Sequence, residues 1–365
     1  MQLRERIKSS LKYLTSLVGV SGYEQGVIQY ILHRIAGLAD DVSVDRNGNI
    51  LLIKKGSTPG PSMMLTAHMD EIGFCVKNIM GNGFLAFDIL GGVSEGLLPG
   101  RKVWITEKKI PGVIGVKARH IQTQEERQKI KSVRECYIDI GASSREEVAS
   151  YGIRVGQPIV FQSDFMVLSN PDLVSTKAID NRINCAILIE LLNDLKNEQF
   201  PGTLNVVFSV KEEVGMLGAQ MVGSIVKPDY AIALDTIPCG DTPDINTESR
   251  LPVYLGKGPV CPLVDSIVSA ELYTIIHPKI REMIEQASIA ASVAVQYLTI
   301  AGESYTTDAS RLALAAGGIP VGVLAIPRRY SHSPVELLDI KDAEGSFKVI
   351  KELVRRNGEI DLAFL

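Results

Sequence analysis

Two histidines and five carboxylates stand where a folded α/β chain would bring them together: His68 and Asp70, Asp180, the adjacent pair Glu212 and Glu213, Asp235, and His332. Each lies near the end of a short apolar run or at a strand-to-helix turn. The runs at 62–67, 203–210, 230–234 and 321–326 are bounded by Gly, Pro or polar residues, as buried parallel strands are. In open α/β sheets ligands gather outside the carboxyl ends of the strands, so residues far apart in sequence can meet there. Imidazoles mixed with carboxylates suit Zn, Co or Mn better than Ca, and ligand type alone does not choose among the three. The chemistry this points to is hydrolysis assisted by a pair of divalent cations.

Taken singly, each residue also has an ordinary reading. His68 and Asp70 form an H-x-D pair in which the carboxylate would fix the imidazole's tautomer, or the two simply share a surface hydrogen bond. Asp180, in STKAIDNRINCAILIELL, precedes a helix, where a carboxylate either caps the N-terminus or bridges two cations about 3.5 to 4 Å apart. Glu212 and Glu213 follow an apolar strand after Lys211 alone. Consecutive residues there point in different directions, so one can ligate while the other faces water; a solvated first helical turn is the alternative. Asp235 ends YAIAL and His332 follows VGVLAI across RRYSHSP, as a turn aspartate or a loop histidine also would. His33, His120 and His277 have no comparable setting.

The elements that would position these residues are legible as periodicities. Helical patterns at 27–35, 185–195, 280–294 and 340–354 alternate with the strands, predicting an α/β fold: an αβα-layered catalytic domain with a mainly parallel sheet. Between Asp70 and Asp180 the texture changes to strand-like pieces, GFCVKNI, RKVWITE, GVIGVKA, CYIDIGA and PIVF, separated by Gly-rich turns. These predict an inserted β-rich, barrel-like domain over 72–165, with the catalytic domain formed by 1–71 and 166–365. The polar stretch 120–134 reads as a surface loop or exposed helix. Leu3, Ile7, Leu11, Leu14 and Leu17 form an amphipathic helix rather than a signal peptide. The apolar stretch 312–327 is interrupted by Gly317, Gly318 and Pro320 and is too short for a membrane span.

The 365 residues suffice for about two domains. With 38 basic and 42 acidic residues, the net charge of −4 makes no case for nucleic acid or an anionic membrane. Five scattered cysteines without a CxxC pair read as reduced packing residues, which points to the cytoplasm.

The motifs AHMDEIGF, KAIDNRINC, SVKEEVGMLGA, ALDT and RRYSHSPVE together resemble the tetrahedral, deblocking and glutamyl metallo-aminopeptidase family, some members of which are called endoglucanases. The resemblance spans essentially the whole chain. Related dinuclear peptidases and deacylases usually carry their extra domain before the last histidine, whereas the β-rich gap here lies between Asp70 and Asp180. Motif by motif, the resemblance implies that His68 and Asp235 complete one metal site and Glu213 and His332 the other. Asp180 would bridge both, Glu212 would act as general base, and Asp70 would orient His68. It also implies two divalent cations per subunit, Zn first with Co or Mn as alternatives, peptide substrates, and a homo-oligomer, a dodecamer in which the insert makes subunit contacts. Tyr305, Thr306, Thr307 and Asp308 stand where relatives often have Gly-Gly-Thr-Asp, and Ala118, Arg119 and His120 where they have Pro-Pro-His, changes expected to alter the substrate pocket.

The mechanism expected from this set is peptide hydrolysis by a metal-bridging hydroxide, with Glu212 taking the proton of a water whose pKa two cations lower from 15.7 to about 7. Two other functions are compatible with parts of the sequence. A glycoside hydrolase needs two carboxylates about 5 to 9.5 Å apart across the scissile bond, which adjacent glutamates have no reason to provide, and the single Trp104 offers little stacking surface. A non-catalytic scaffold would have no reason to keep the whole set. The ordinary alternative for Asp308 is a helix N-cap, and Lys257, Arg328 and Arg329 read as solvated surface charge rather than contacts for an acidic substrate.

Overall fold

The computed structural model describes residues 2–246 and 248–364. The four apolar runs become the four central strands of a twelve-stranded sheet: Pro201–Ser209, Thr58–His68, Tyr230–Pro238 and Val321–Arg329, side by side in that order. All four are parallel, with Ser209 beside His68, Ala233 beside Thr66 and Asp235 beside Ala325. Three strands overrun the apolar run at its carboxyl end, because ladder hydrogen bonds continue while side chains turn polar. Antiparallel strands flank this centre, Asp41–Val44 and Ile50–Lys55 on one side, Glu336–Asp339, Leu173–Thr176 and Met166–Val167 on the other. The fold is α/β with its parallel strands at the centre.

Helices Leu3–Ser16, Ile179–Asp194 and Ile340–Arg355 pack on one another and on the strands, while Leu217–Val226 and Asp308–Leu312 form a second group. The two groups share no substantial contact, as layers on opposite sides of a sheet do not. Ile179–Asp194 is apolar around most of its circumference and lies almost wholly in the core. Each of its fully buried Ile and Leu side chains contributes about 1.5–3 kcal/mol. Its polar residues are paired: Arg182 donates to the carbonyls of Leu14 and Gly19, and Glu190 accepts from Arg34 and faces Arg6 at 3.4 Å. The helix starts several residues before the periodic stretch at 185–195, because its first turn is occupied by polar side chains that the pattern does not count.

Between Asp70 and Asp180 six strands close into a barrel, in the order Gly73–Ile79, Leu85–Leu90, Tyr137–Asp139, Ile110–Gly115, Lys102–Ile105 and Pro158–Phe161. Closure removes the exposed edges of so small a sheet. Phe74 sits at its centre, edge-on to Phe87 and Phe161 at centroid distances of 5.2 and 5.0 Å. Leu85–Leu90 adds to the strand-like segments named from sequence. The polar stretch 120–134 contains one short exposed helix, Gln124–Gln128, closed by a Thr123/Glu126 capping box. All five cysteines are free thiols.

Asp265, on the strand Val260–Ile267, is a buried carboxylate whose Oδ1 has no hydrogen-bond partner. Burial pushes its pKa from 3.8 up to about 7. The folded chain therefore holds this proton more tightly than the unfolded chain, so the associated stability is complete below 3.8 and is lost as pH rises toward 7. Denaturant titrations from pH 4 to 8 should show Asp265→Asn gaining on the wild type as pH rises through this window; a constant difference would contradict the assignment.

Candidate metal centre

The carboxyl ends of the parallel strands deliver the seven residues to one place. His68 is the last residue of its strand, Asp235 lies near the end of the next, and Glu212 and Glu213 sit in the turn after Ser209. Asp180 and His332 enter from the turns after Thr176 and Arg329. Non-glycine residues hold several of these turns in left-handed backbone conformations: Ala178 (φ 55°), Lys211 (φ 58°), Met216 (φ 56°), Tyr330 (φ 60°) and His332 itself (φ 54°). Such residues cost of order 1–2 kcal/mol each and persist where the surroundings over-determine them. The Asp180–Asn181 peptide bond is cis.

Asp180 is the hub. Its Oδ1 lies 3.1 Å from His68 Nε2, and its Oδ2 lies 3.4 Å from His332 Nε2. Asp235 Oδ1 and Glu212 Oε2 are each 3.8 Å from His68 Nε2, and Glu213 Oε2 is 3.5 Å from His332 Nε2. His68–Asp180–Asp235 and Asp180–Glu213–His332 are thus two ligand sets sharing one carboxylate, and His68–Glu212–Glu213 is a third group close enough to hold an ion. The capping reading of Asp180 fails, since the cap position is Ala178 and the Asp180 oxygens face His68, His332 and Arg328.

Asp70 does more than orient His68. Its Oδ1 accepts the backbone N–H of Glu212 at 3.0 Å, its Oδ2 accepts that of Glu213 at 3.2 Å, and Ser21 Oγ donates to Oδ2 at 2.6 Å. One carboxylate therefore sets the direction of both glutamates. His68 Nδ1 faces the Asp70 carbonyl at 3.2 Å and its carboxylate at 3.5 Å. A carbonyl only accepts, so Nδ1 carries a proton, and Nε2 is turned to the carboxylates. His332 repeats the device with a different partner, its Nδ1 donating to the carbonyl of Gly92 at 3.1 Å, in the turn after the barrel strand Leu85–Leu90.

The electrostatics are those of like charges crowded out of water. Burial first, then the neighbouring carboxylates, push Glu212 and Asp235 well above the usual range and Glu213 to about 7. Burial also opposes ionisation of Asp180, but Arg328 and the two imidazoles outweigh it and hold that carboxylate well below the usual range. For His332 burial disfavours the charged ring, yet Glu213 and Asp180 raise it to about 9. Glu213 Oε1 is buried with no hydrogen-bond partner. A donor set with two basic imidazoles, several crowded carboxylates and an orphaned oxygen fits divalent cations.

Several participants were not legible. Arg328, expected at the surface, is 2% exposed; it donates to Asp180 Oδ2, to Glu336 Oε1 at 2.7 Å and to Thr236 Oγ1 at 2.6 Å. Arg329 is half-buried against Asp241, and Lys257 is exposed as expected. Glu336 accepts the backbone N–H groups of Asp180 and His332. The helix cap assigned to Asp308 belongs to Thr307, whose hydroxyl accepts from Ala309 N, while the buried Asp308 carboxylate accepts from Thr66 and Ser209. A cavity of about 690 Å³ opens over the centre, walled by Ile245, Leu251, Ile267, Ile300, Tyr305 and the Arg250–Glu303 ion pair. Tyr305 is the one aromatic among its described lining residues, and Trp104 lies away in the barrel.

Residues 48–349 match the model of the M42 glutamyl aminopeptidase family. The chain belongs to that family and is a peptidase hydrolase. Among its relatives, lysyl aminopeptidase of Pyrococcus furiosus is 32% identical over 96% of this chain and 97% of its own. An aminopeptidase of the archaeon Desulfurococcus kamchatkensis superimposes with a TM-score of 0.90 at 33% identity, covering 97% of this chain and 96% of that one. The TET1 peptidase of Pyrococcus horikoshii, described as assembling into a tetrahedron or a large octahedral shell, gives 0.83 at 32% identity over 95% and 99%.

A Cβ on Gly92 would lie 2.6 Å from His332 Nδ1 and 2.9 Å from Cε1, closer than packed atoms come. Gly92→Ala should therefore displace the imidazole and lower divalent-cation retention about 10- to 100-fold with the fold intact. Metal analysis after dialysis checks this, and unchanged retention would mean that the turn yields instead.

Proposed function

We propose that this chain is a dinuclear-metal aminopeptidase that removes N-terminal residues from peptides. The observation that carries the reading is the division of Asp180, one oxygen toward His68 and the other toward His332 at 3.1 and 3.4 Å. His68, Asp180 and Asp235 would hold one divalent cation and Asp180, Glu213 and His332 the second, Zn first, with Co or Mn as alternatives. When bound, such a pair supplies Lewis-acid polarisation of the scissile carbonyl and acidification of water.

The remaining roles belong to the chain itself. Glu212, delivered to the cavity floor by the Asp70 hydrogen bond, takes a proton from the attacking water and passes it to the leaving amine. Burial and the neighbouring carboxylates raise its affinity for a proton; to act as the base it must start ionised, which positive charge held by the neighbouring ligands would favour. Asp180, Glu212, Glu213 and Asp235 line the cavity, and the free α-amino group of a substrate could bind a cation held there, which would direct action to chain ends. Glycoside hydrolysis is disfavoured because Glu212 and Glu213 attend different histidines, and because the described lining has a single aromatic to stack on a sugar.

Kinship with a TET1 peptidase described as a dodecamer and as able to assemble into a tetrahedron or a large octahedral shell supports a homo-oligomer, which we take to be a dodecamer with the barrel contacting neighbouring subunits. No helix among the described residues is long and apolar enough to cross a membrane, and the five unpaired thiols support a cytoplasmic location.

Glu212→Gln should retain bound metal while turnover of an aminoacyl anilide falls about 10²- to 10⁴-fold. A variant that keeps the wild-type rate would remove Glu212 from the mechanism, and chelator-sensitive cleavage of β-glucan in place of the anilide would replace the peptidase reading.

A further inference from the structure

We propose that Arg328 is a positioning residue for the shared carboxylate, and that by binding the Asp180 oxygen turned toward His332 it makes the Glu213–His332 cation site the weaker of the two. The inference rests on the dinuclear reading above and goes beyond it by ranking the sites.

Arg328 lies at the end of the strand Val321–Arg329, with its side chain 3% exposed and every terminal nitrogen committed. Nε donates to Thr236 Oγ1 at 2.6 Å, Nη1 to Glu336 Oε1 at 2.7 Å, and Nη2 to Asp180 Oδ2. The two flanking bonds pin the planar fork, so it cannot easily swing away when a cation arrives, and a guanidinium does not shed its proton. The Asp180 oxygens are therefore inequivalent. Oδ1 faces His68 and takes no hydrogen bond from Arg328, whereas Oδ2, the oxygen within 3.4 Å of His332 Nε2, already accepts a charge-assisted hydrogen bond.

A cation held by Glu213, His332 and Oδ2 must share that oxygen with a fixed positive charge, in an interior where charges are weakly screened. Glu336 offsets part of this charge, but it sits on the Nη1 branch and also receives the backbone N–H groups of Asp180 and His332. The cation held by His68, Asp235 and Oδ1 meets no such competitor. The arrangement orients Asp180 before any ion binds and gives the pair of sites an order of filling.

The test is a Zn²⁺ titration of the apo full-length chain by calorimetry with a competing chelator, with metal analysis for stoichiometry. The wild type should take up two equivalents in steps separated by about tenfold or more in affinity. Arg328→Met should leave the first step within about twofold and tighten the second about tenfold, while Arg328→Lys, which keeps the charge, should preserve much of the separation. Because removing the guanidinium leaves Glu336 unpaired, the double variant Arg328→Met/Glu336→Gln serves if the single one fails to fold; it should show the same tightening. Coincident wild-type steps, or a second step unchanged or weakened without the guanidinium, overturn the inference and leave the dinuclear reading standing. A folded wild type that takes up no cation overturns both.

Discussion

A buried carboxylate ordinarily seeks one strong partner; Asp180 has three, with an imidazole at each oxygen and a guanidinium on one of them. The layout of the centre follows from keeping this single group ionised out of water while other acids crowd it. Glu212, Glu213 and Asp235 are driven toward their neutral forms by the same burial that Asp180 resists. Such an arrangement is costly unless positive charge compensates it. The chain supplies part of that charge through Arg328, and the proposed cations supply the rest.

The parallel strands make the arrangement possible because they end together. Neighbouring strands about 4.8 Å apart bring His68 and Asp235 within reach of one another without any long loop. The turns then do what strands cannot, aiming consecutive residues at different targets. Asp70 is central here, since its two oxygens hold the backbone N–H groups of Glu212 and Glu213 and so separate a proposed base from a proposed ligand. Left-handed backbone at Ala178, Lys211 and His332 shows that these turns are set by the contacts they serve and not by local preference.

What the sequence reveals and conceals follows from this division. Apolar runs announce their strands, and a histidine or carboxylate just beyond such a run is visible as a candidate. Arg328 and Asp308 show where that logic stops. A charge directly after VGVLAIP looks like the point where a strand surfaces, yet the ladder continues through Arg329 and carries Arg328 inward. Asp308 precedes a helix as a cap would, but the adjacent Thr307 takes that role, which frees the carboxylate for Thr66 and Ser209. Glu336 is concealed for a related reason: besides Arg328 it accepts backbone N–H groups from Asp180 and His332, far apart in the chain, and no periodicity encodes them.

The bond between His332 and the Gly92 carbonyl joins the closed barrel to the opposite end of the polypeptide. The insert is thus not a detachable module. A chimera carrying a foreign barrel would need to restore one acceptor, at one height, on a residue without a side chain, so genetic shuffling of this segment is constrained by a single backbone oxygen.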